Sequence, residues 1–180
     1  MGKQAGFTLV ELLISIVLLA ILLALAVPSF QSFVKNNRVT AQTNGLVSAI
    51  QMARSEALKR GTNSVICASD DGETCTGNGT WASGWIVWSD FNPDDDVPDI
   101  DSTPCGEDED CILLVSDGLS GGNTLISGNK LIRFLPNGLA DPSTGTAELK
   151  LISKDCEQEQ ARRIFVTMQG HTIVTRVGCT

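Results

Sequence analysis

The sequence predicts an α+β fold in which one long N-terminal helix, bent near Pro28, packs on a head of short antiparallel β-strands. Three observations carry this. Residues 7–27 are apolar almost throughout, helical periodicity continues beyond them to Arg60, and the remainder breaks into short apolar runs separated by Gly, Asn, Asp and Pro. At 180 residues the chain has room for one compact domain and an appendage.

A helix through residues 7–27 would be about 30 Å long, enough to cross the hydrocarbon core of a bilayer. Pro28 follows, and a proline removes one backbone hydrogen bond and clashes with the preceding turn, which bends a helix. Past it, Leu46, Ala49, Ile50, Ala53 and Ala57 fall on one helical face and form an apolar stripe. Lys59 and Arg60 oppose the negative helix end and Gly61 is free to adopt left-handed geometry, so the helix stops there. Strands are expected at 64–68, 84–89, 111–115, 130–135, 148–152, 164–168 and 172–177, the last two joined by a turn at Gln169-Gly170.

Charge is distributed unevenly. The chain has 13 basic and 21 acidic residues, a net charge of −8. Residues 7–60 hold five basic residues against two acids, whereas residues 61–180 hold nineteen acids against seven basic residues. A head this acidic repels phosphate at long range, which argues against nucleic acid as a partner. All six cysteines, Cys67, Cys75, Cys105, Cys111, Cys156 and Cys179, lie in the head. Their even number, and spacings that fit no zinc pattern, point to disulfides made in an oxidising compartment. Nearest-neighbour pairing would join Cys67 to Cys75, Cys105 to Cys111 and Cys156 to Cys179, one of many pairings that six cysteines admit.

Glu11 sits inside the apolar run, where a carboxylate in lipid costs about 2.5 kcal/mol or more. A secretory signal peptide, for which Ala24-Leu25-Ala26 offers a small-x-small cleavage pattern, does not explain it, and neither does an ordinary anchor. With Glu11 included, Gly6-Phe7-Thr8-Leu9-Val10-Glu11-Leu12-Leu13 resembles the type IV prepilin motif. The resemblance implies that a membrane peptidase cuts between Gly6 and Phe7, removing residues 1–6 as a leader, and that the new amino terminus at Phe7 is methylated. It also implies assembly roles for Glu11, which would face the terminal amine of a neighbouring subunit, and for Pro28, which resembles the proline at which pilin helices bend.

The run Ala49-Ile50-Gln51-Met52-Ala53-Arg54-Ser55-Glu56-Ala57-Leu58-Lys59-Arg60-Gly61, followed by Val65-Ile66-Cys67 and Gly84-Trp85-Ile86-Val87-Trp88, is similar to the GspH/FimT family of type IV minor pilins and type II secretion pseudopilins. The resemblance spans the chain, with residues 95–111 its least typical part. It implies a pilin-like lollipop, a long bent helix packed on an antiparallel β-sandwich head: residues 7–27 transmembrane, 28–60 the amphipathic half of the helix, and 61–180 a β-rich periplasmic head. The chain would be a single-pass protein of the bacterial inner membrane, periplasmic or extracellular once in a filament. Its partners would be other major and minor pilins or pseudopilins, met through the N-terminal helix, together with the prepilin peptidase. No reaction and no cofactor are implied. A minor pilin of a tip or priming complex, an H-type pseudopilin of a type II secretion system and a DNA-uptake minor pilin all share this anatomy, and the stretch from Val65 through Cys67 to Gly72 resembles pilus subunits.

Four further features have competing explanations. Asp90, Asn92, Asp94, Asp96 and Asp101 place oxygens with the spacing of a calcium loop. Asp95 stands where that loop needs glycine, and Pro93 and Pro98 stiffen it, so a solvated acidic loop is expected. Trp85 and Trp88 sit in one predicted strand, so at least one of them belongs to the core. His171, beside Gly170, has no nucleophile to pair with from sequence, and no catalysis is assigned to it. Some family members bind DNA through a basic motif near the carboxyl terminus; here Thr175-Arg176-Val177-Gly178-Cys179 offers one arginine, leaving Arg162, Arg163 and Arg176 as weak candidates.

Overall fold

The computed structural model describes residues 6, 8–76, 80–91, 110–144, 146–157 and 159–179. The chain divides into two compact units, Met1–Arg38 and Val39–Thr180. Helix α1 (Leu9–Arg60) is a single element of 52 residues, and its helical backbone continues through Pro28 without a break. The first unit, as far as it is described, consists of the amino-terminal part of this helix.

The second unit sets the rest of α1 against eight strands: β1 (Asn63–Ala68), β2 (Gly84–Asp90), β3 (Cys111–Asp117), β4 (Thr124–Ser127), β5 (Leu131–Phe134), β6 (Ala147–Ile152), β7 (Ala161–Val166) and β8 (Thr172–Val177). They form two four-stranded sheets. Sheet A runs β3-β2-β1-β5 and sheet B runs β4-β6-β7-β8, and every neighbouring pair is antiparallel.

The stripe on α1 explains the packing. Leu46, Ala49, Ile50, Ala53 and Ala57 are buried, and the structure carries the stripe back to Val39. One core joins this face of the helix to Ile66, Val87 and Phe134 of sheet A and to Leu149, Leu151 and Ile164 of sheet B. A second core lies on the other side of sheet A, where Val65, Cys67, Ile86, Trp88 and Leu131 gather with Cys75 and Ile112. β1 and β2 of sheet A are therefore covered on both faces, which is why they read as largely apolar runs, whereas the edge strand β3 is partly exposed. In sheet B, β6 and β7 alternate buried with exposed positions, as strands with one open face do.

The strand expectations need two corrections. Eight strands are present where seven were expected, the additional one being β4. It has four residues, only Leu125 of them buried, and pairing with β6 holds it in place. β7 begins at Ala161, three residues earlier than the apolar run at 164–168 indicated, because Arg162 and Arg163 take part in the ladder opposite Arg176 and Thr175. The turn between β7 and β8 does pass through Gln169-Gly170: Gly170 N–H donates to the Thr167 carbonyl at 2.8 Å with a φ of +74°. A Cβ there would lie 2.5 Å from the Gly138 carbonyl oxygen, so only glycine fits.

This distribution of burial sets the cost of truncation. Phe134→Ala, in the core, should destabilise by about 3–5 kcal/mol, whereas Ile173→Ala, half-exposed on β8, should cost under about 1 kcal/mol. Chemical denaturation of both variants followed by tryptophan fluorescence measures the difference. Comparable losses would mean that the core is drawn in the wrong place.

Candidate assembly surface and head sites

The helix start is capped from within the motif. Thr8 accepts the Glu11 N–H on its hydroxyl oxygen at 3.3 Å and the Leu12 N–H on its carbonyl at 3.1 Å, so Thr8 is the N-cap and Glu11 the third helical residue. Thr8-Leu9-Val10-Glu11 has the spacing of a capping box, a signal legible in the sequence that the motif resemblance overshadowed. A carboxylate in the first turn also faces the positive helix end, which favours Glu11 there. Ser15 donates its hydroxyl to the Glu11 carbonyl at 2.7 Å.

From Leu9 to Val27 the large apolar side chains are exposed by 50% to 75%, and Glu11 is the one charged residue among them. α1 carries a stretch with a mean hydropathy of 3.0, none of it buried within the chain, and is the one described helix long and apolar enough to cross a membrane. Such a surface requires lipid or other apolar helices around it. The scissile position lies partly outside this description: Gly6 is described and Phe7 is not.

In the head, Cys67 is joined to Cys75 and Cys156 to Cys179, with Cα separations of 5.6 and 5.8 Å. The pairing expected between Cys105 and Cys111 lies outside the described residues. Asp71 organises the loop closed by the first bridge. Its carboxylate accepts from the Thr74 hydroxyl at 2.6 Å, from the Glu73 and Thr74 N–H groups at 2.8 Å each, and from the Ser69 hydroxyl at 3.0 Å. These donors, the Thr74 hydroxyl foremost, hold the carboxyl well below the usual carboxylate range.

Asp90, the first of the calcium candidates, is buried at the end of β2, where Arg133 Nε lies 3.2 Å from it. Arg133 also reaches Asp141 at 3.7 Å, so the guanidinium stands between two carboxylates. Burial pushes the Asp90 carboxyl up despite Arg133. Asp110 accepts the Phe91 N–H at 2.8 Å and closes the end of the acidic segment. Asn92, Asp94, Asp96 and Asp101 lie outside the described residues. Among those described, no three His, Cys, Asp or Glu side chains converge on a common point.

The tryptophans are core residues. Trp81, Trp85 and Trp88 are all buried, and the Trp81 indole N–H donates to the Asn129 carbonyl at 3.1 Å. The three arginines do not make one basic surface. Arg162 is buried, Arg163 is paired with Glu148 at 3.1 Å, and Arg176 is exposed.

Over residues 42–170 the chain matches the family model described as Type II transport protein GspH, and over residues 1–27 that of the prokaryotic N-terminal methylation motif. It is 27% identical over 154 residues to the type IV major fimbrial protein FimA of Dichelobacter nodosus, covering 79% of this chain and 88% of that one. It is 36% identical over 69 residues to a fimbrial protein of Pseudomonas aeruginosa, covering 38% and 44%. Among solved structures, the type IV minor pilin FimU of Pseudomonas aeruginosa superposes with a TM-score of 0.57 at 16% identity, over 82% of this chain and 99% of that one.

An exposed apolar helix, capped by a prepilin-type start and continuing into a core shared with two antiparallel sheets, defines a type IV pilin-like subunit. Within that class the chain belongs to the GspH family of minor pilins and pseudopilins. These are structural subunits that assemble with other pilins, not enzymes.

The buried acid gives a pH signature. A carboxyl raised by burial contributes stability that is fully present below the unfolded-state value and lost as pH rises through the folded-state value. Asp90→Asn should therefore gain on the wild type in unfolding free energy as pH rises above the ordinary carboxylate range. Asp141 does not confuse the comparison: although burial raises it, the hydrogen bonds from Ser143 and the charge of Arg133 leave it below its ordinary value. Denaturation midpoints of the two proteins from acid to neutral pH measure the trend, and a gap that moves the other way would refute the assignment.

Proposed function

We propose that this chain is a prepilin-processed minor pilin that acts in type IV pilus biogenesis as part of a tip or priming complex. The observation that carries the reading is the exposed apolar surface from Leu9 to Val27, with the single carboxylate of Glu11 set one turn inside it. Cleavage after Gly6 exposes the amine of Phe7, which is methylated, and residues 7–27 hold the subunit in the inner membrane with its head in the periplasm. The prepilin peptidase and neighbouring pilins are the partners this requires. Glu11 then pairs with the terminal amine of a neighbouring subunit, and that pairing offsets part of the roughly 2.5–3.5 kcal/mol cost of an acid in lipid.

An H-type pseudopilin of type II secretion is the second reading, favoured by the family description over residues 42–170. Deleting the gene separates the two: loss of surface filaments with secretion intact fits a minor pilin, and loss of secretion with filaments intact fits a pseudopilin. A DNA-uptake role draws less support, since Arg162 is buried and Arg163 is engaged by Glu148.

Glu11→Val tests the assembly role. The variant should insert and be cleaved normally, because its anchor is more hydrophobic, yet its recovery in sheared filaments should fall at least tenfold relative to mature subunit in membranes. Equal recovery at equal membrane levels would show that Glu11 does not guide docking.

A further inference from the structure

The two sheets of the head end in four edge strands, and two of these edges are closed by bridges from loops. Thr80 pairs with Ile126 on the outer side of β4, and Ala140 pairs with Phe134 on the outer side of β5. β8 differs from both. It pairs with β7 alone, and no backbone hydrogen bond of the described residues reaches its outer side. Alternate residues of an antiparallel edge strand direct N–H and C=O groups outward, and β8 carries neither proline nor lysine to blunt them. Ile173 and Val174 are 50% and 43% exposed, on opposite faces of the strand. The strand is also held in place, by the Gly170 turn before it and by the Cys156–Cys179 bridge after it.

Among the described residues, no carboxylate pairs with the charges at the far end of this strand. Arg162 of β7 lies directly opposite Arg176 of β8, so the two cations are cross-strand neighbours on one face. Arg162 is only 6% exposed, and its Nη1 donates to the backbone carbonyls of Ala161 at 3.1 Å and Glu159 at 3.3 Å, with no carboxylate among its described contacts. Arg133, by contrast, sits between Asp90 and Asp141. A buried guanidinium beside a second cation, in a chain of net charge −8, is an expensive arrangement without an anion.

We propose that the free edge of β8 receives an extended segment of a neighbouring pilin-type subunit as an added strand, with a carboxylate of that segment neutralising the Arg162–Arg176 pair. The inference rests on the reading of the chain as an assembling subunit and names a second contact, in the head, beside that of the helix. Backbone hydrogen bonds along β8 supply affinity, alternate apolar side chains of the segment cover Ile173 or Val174, and the carboxylate fixes the register. Charge selects the occupant. Nucleic acid meets the acidic head, and a second β8 brings further cations to an edge that already has a surplus.

The test uses the full chain in detergent micelles and fluorescent heptapeptides read by anisotropy. Thr-Val-Asp-Val-Glu-Val-Thr should bind. The same peptide with lysine in place of both acids should bind at least tenfold more weakly, and a version N-methylated at alternate backbone nitrogens on the pairing edge should not bind. Arg176→Glu, at an exposed position, should lower affinity for the acidic peptide at least tenfold, and Arg162→Gln should do the same with its near-ultraviolet circular dichroism retained. If Arg162→Gln does not fold, Arg176→Glu decides alone. No binding of the acidic peptide, equal binding of the lysine peptide or undiminished binding of the N-methylated one would overturn the proposal. So would displacement of the peptide by duplex DNA at equal concentration, or self-association of the chain that Val174→Pro abolishes. None of these results touches the pilin reading, which stands or falls on recovery of Glu11→Val in filaments.

Discussion

Burial of the α1 stripe against both sheets is the interaction on which the head depends. Leu46, Ala49, Ile50, Ala53 and Ala57 share one core with residues of sheet A and sheet B. A larger side chain at any of the three alanines would have to be forced into a filled core, because close-packed interiors absorb added volume poorly. Packing is tight at the carboxyl end of the helix too, where a Cβ on Gly138 would lie 3.0 Å from the Leu58 side chain and Arg54 donates to the Gly138 carbonyl at 3.0 Å. Burial drives this packing, and hydrogen bonds fix its register. Gln51 reaches the Thr172 hydroxyl at 2.8 Å, while Gln42 holds the Ser120 carbonyl at 3.0 Å and accepts from Asn123 at 2.6 Å.

Two carboxylates of the head are met in different ways. The buried Asp90 has Arg133 beside it, and at the surface four donors converge on the Asp71 carboxylate. The Cys67–Cys75 bridge belongs to the second core, so the loop that Asp71 shapes is tied into the covered side of sheet A. The Arg162–Arg176 pair has no such carboxylate among the described residues.

Much of this was legible in the residues themselves. Helical periodicity located the stripe from Leu46 to Ala57, and the stop at Lys59-Arg60-Gly61 falls where the helix ends. Short apolar runs located seven of the eight strands. β4 escaped because four residues with one buried leucine carry no periodic signal, and only pairing with β6 makes them a strand. The start of β7 escaped because adjacent arginines read as solvent-facing, although Arg162 turns inward. At the amino terminus both the prepilin-like residues and the Thr8-to-Glu11 capping spacing were legible, and the hydrogen bond from the Glu11 N–H to the Thr8 hydroxyl fits that spacing. The edge of β8 was not legible at all, since an open edge is a property of how strands are ordered in a sheet and no local pattern records it.

The unequal covering of the two sheets bears on how subunits of this kind can diverge. β1 and β2 are enclosed on both faces, so nearly every side chain there must satisfy a packed neighbour and a substitution rarely goes unnoticed. β6 and β7 satisfy the core with alternate residues and leave the others to solvent. After gene duplication, the β1–β2 pair would therefore hold the inherited shape while the open face of sheet B accumulated the differences by which sister subunits tell one another apart. In evolutionary terms, that pair is the frozen part of the head and the outer face of sheet B the part free to acquire a new address.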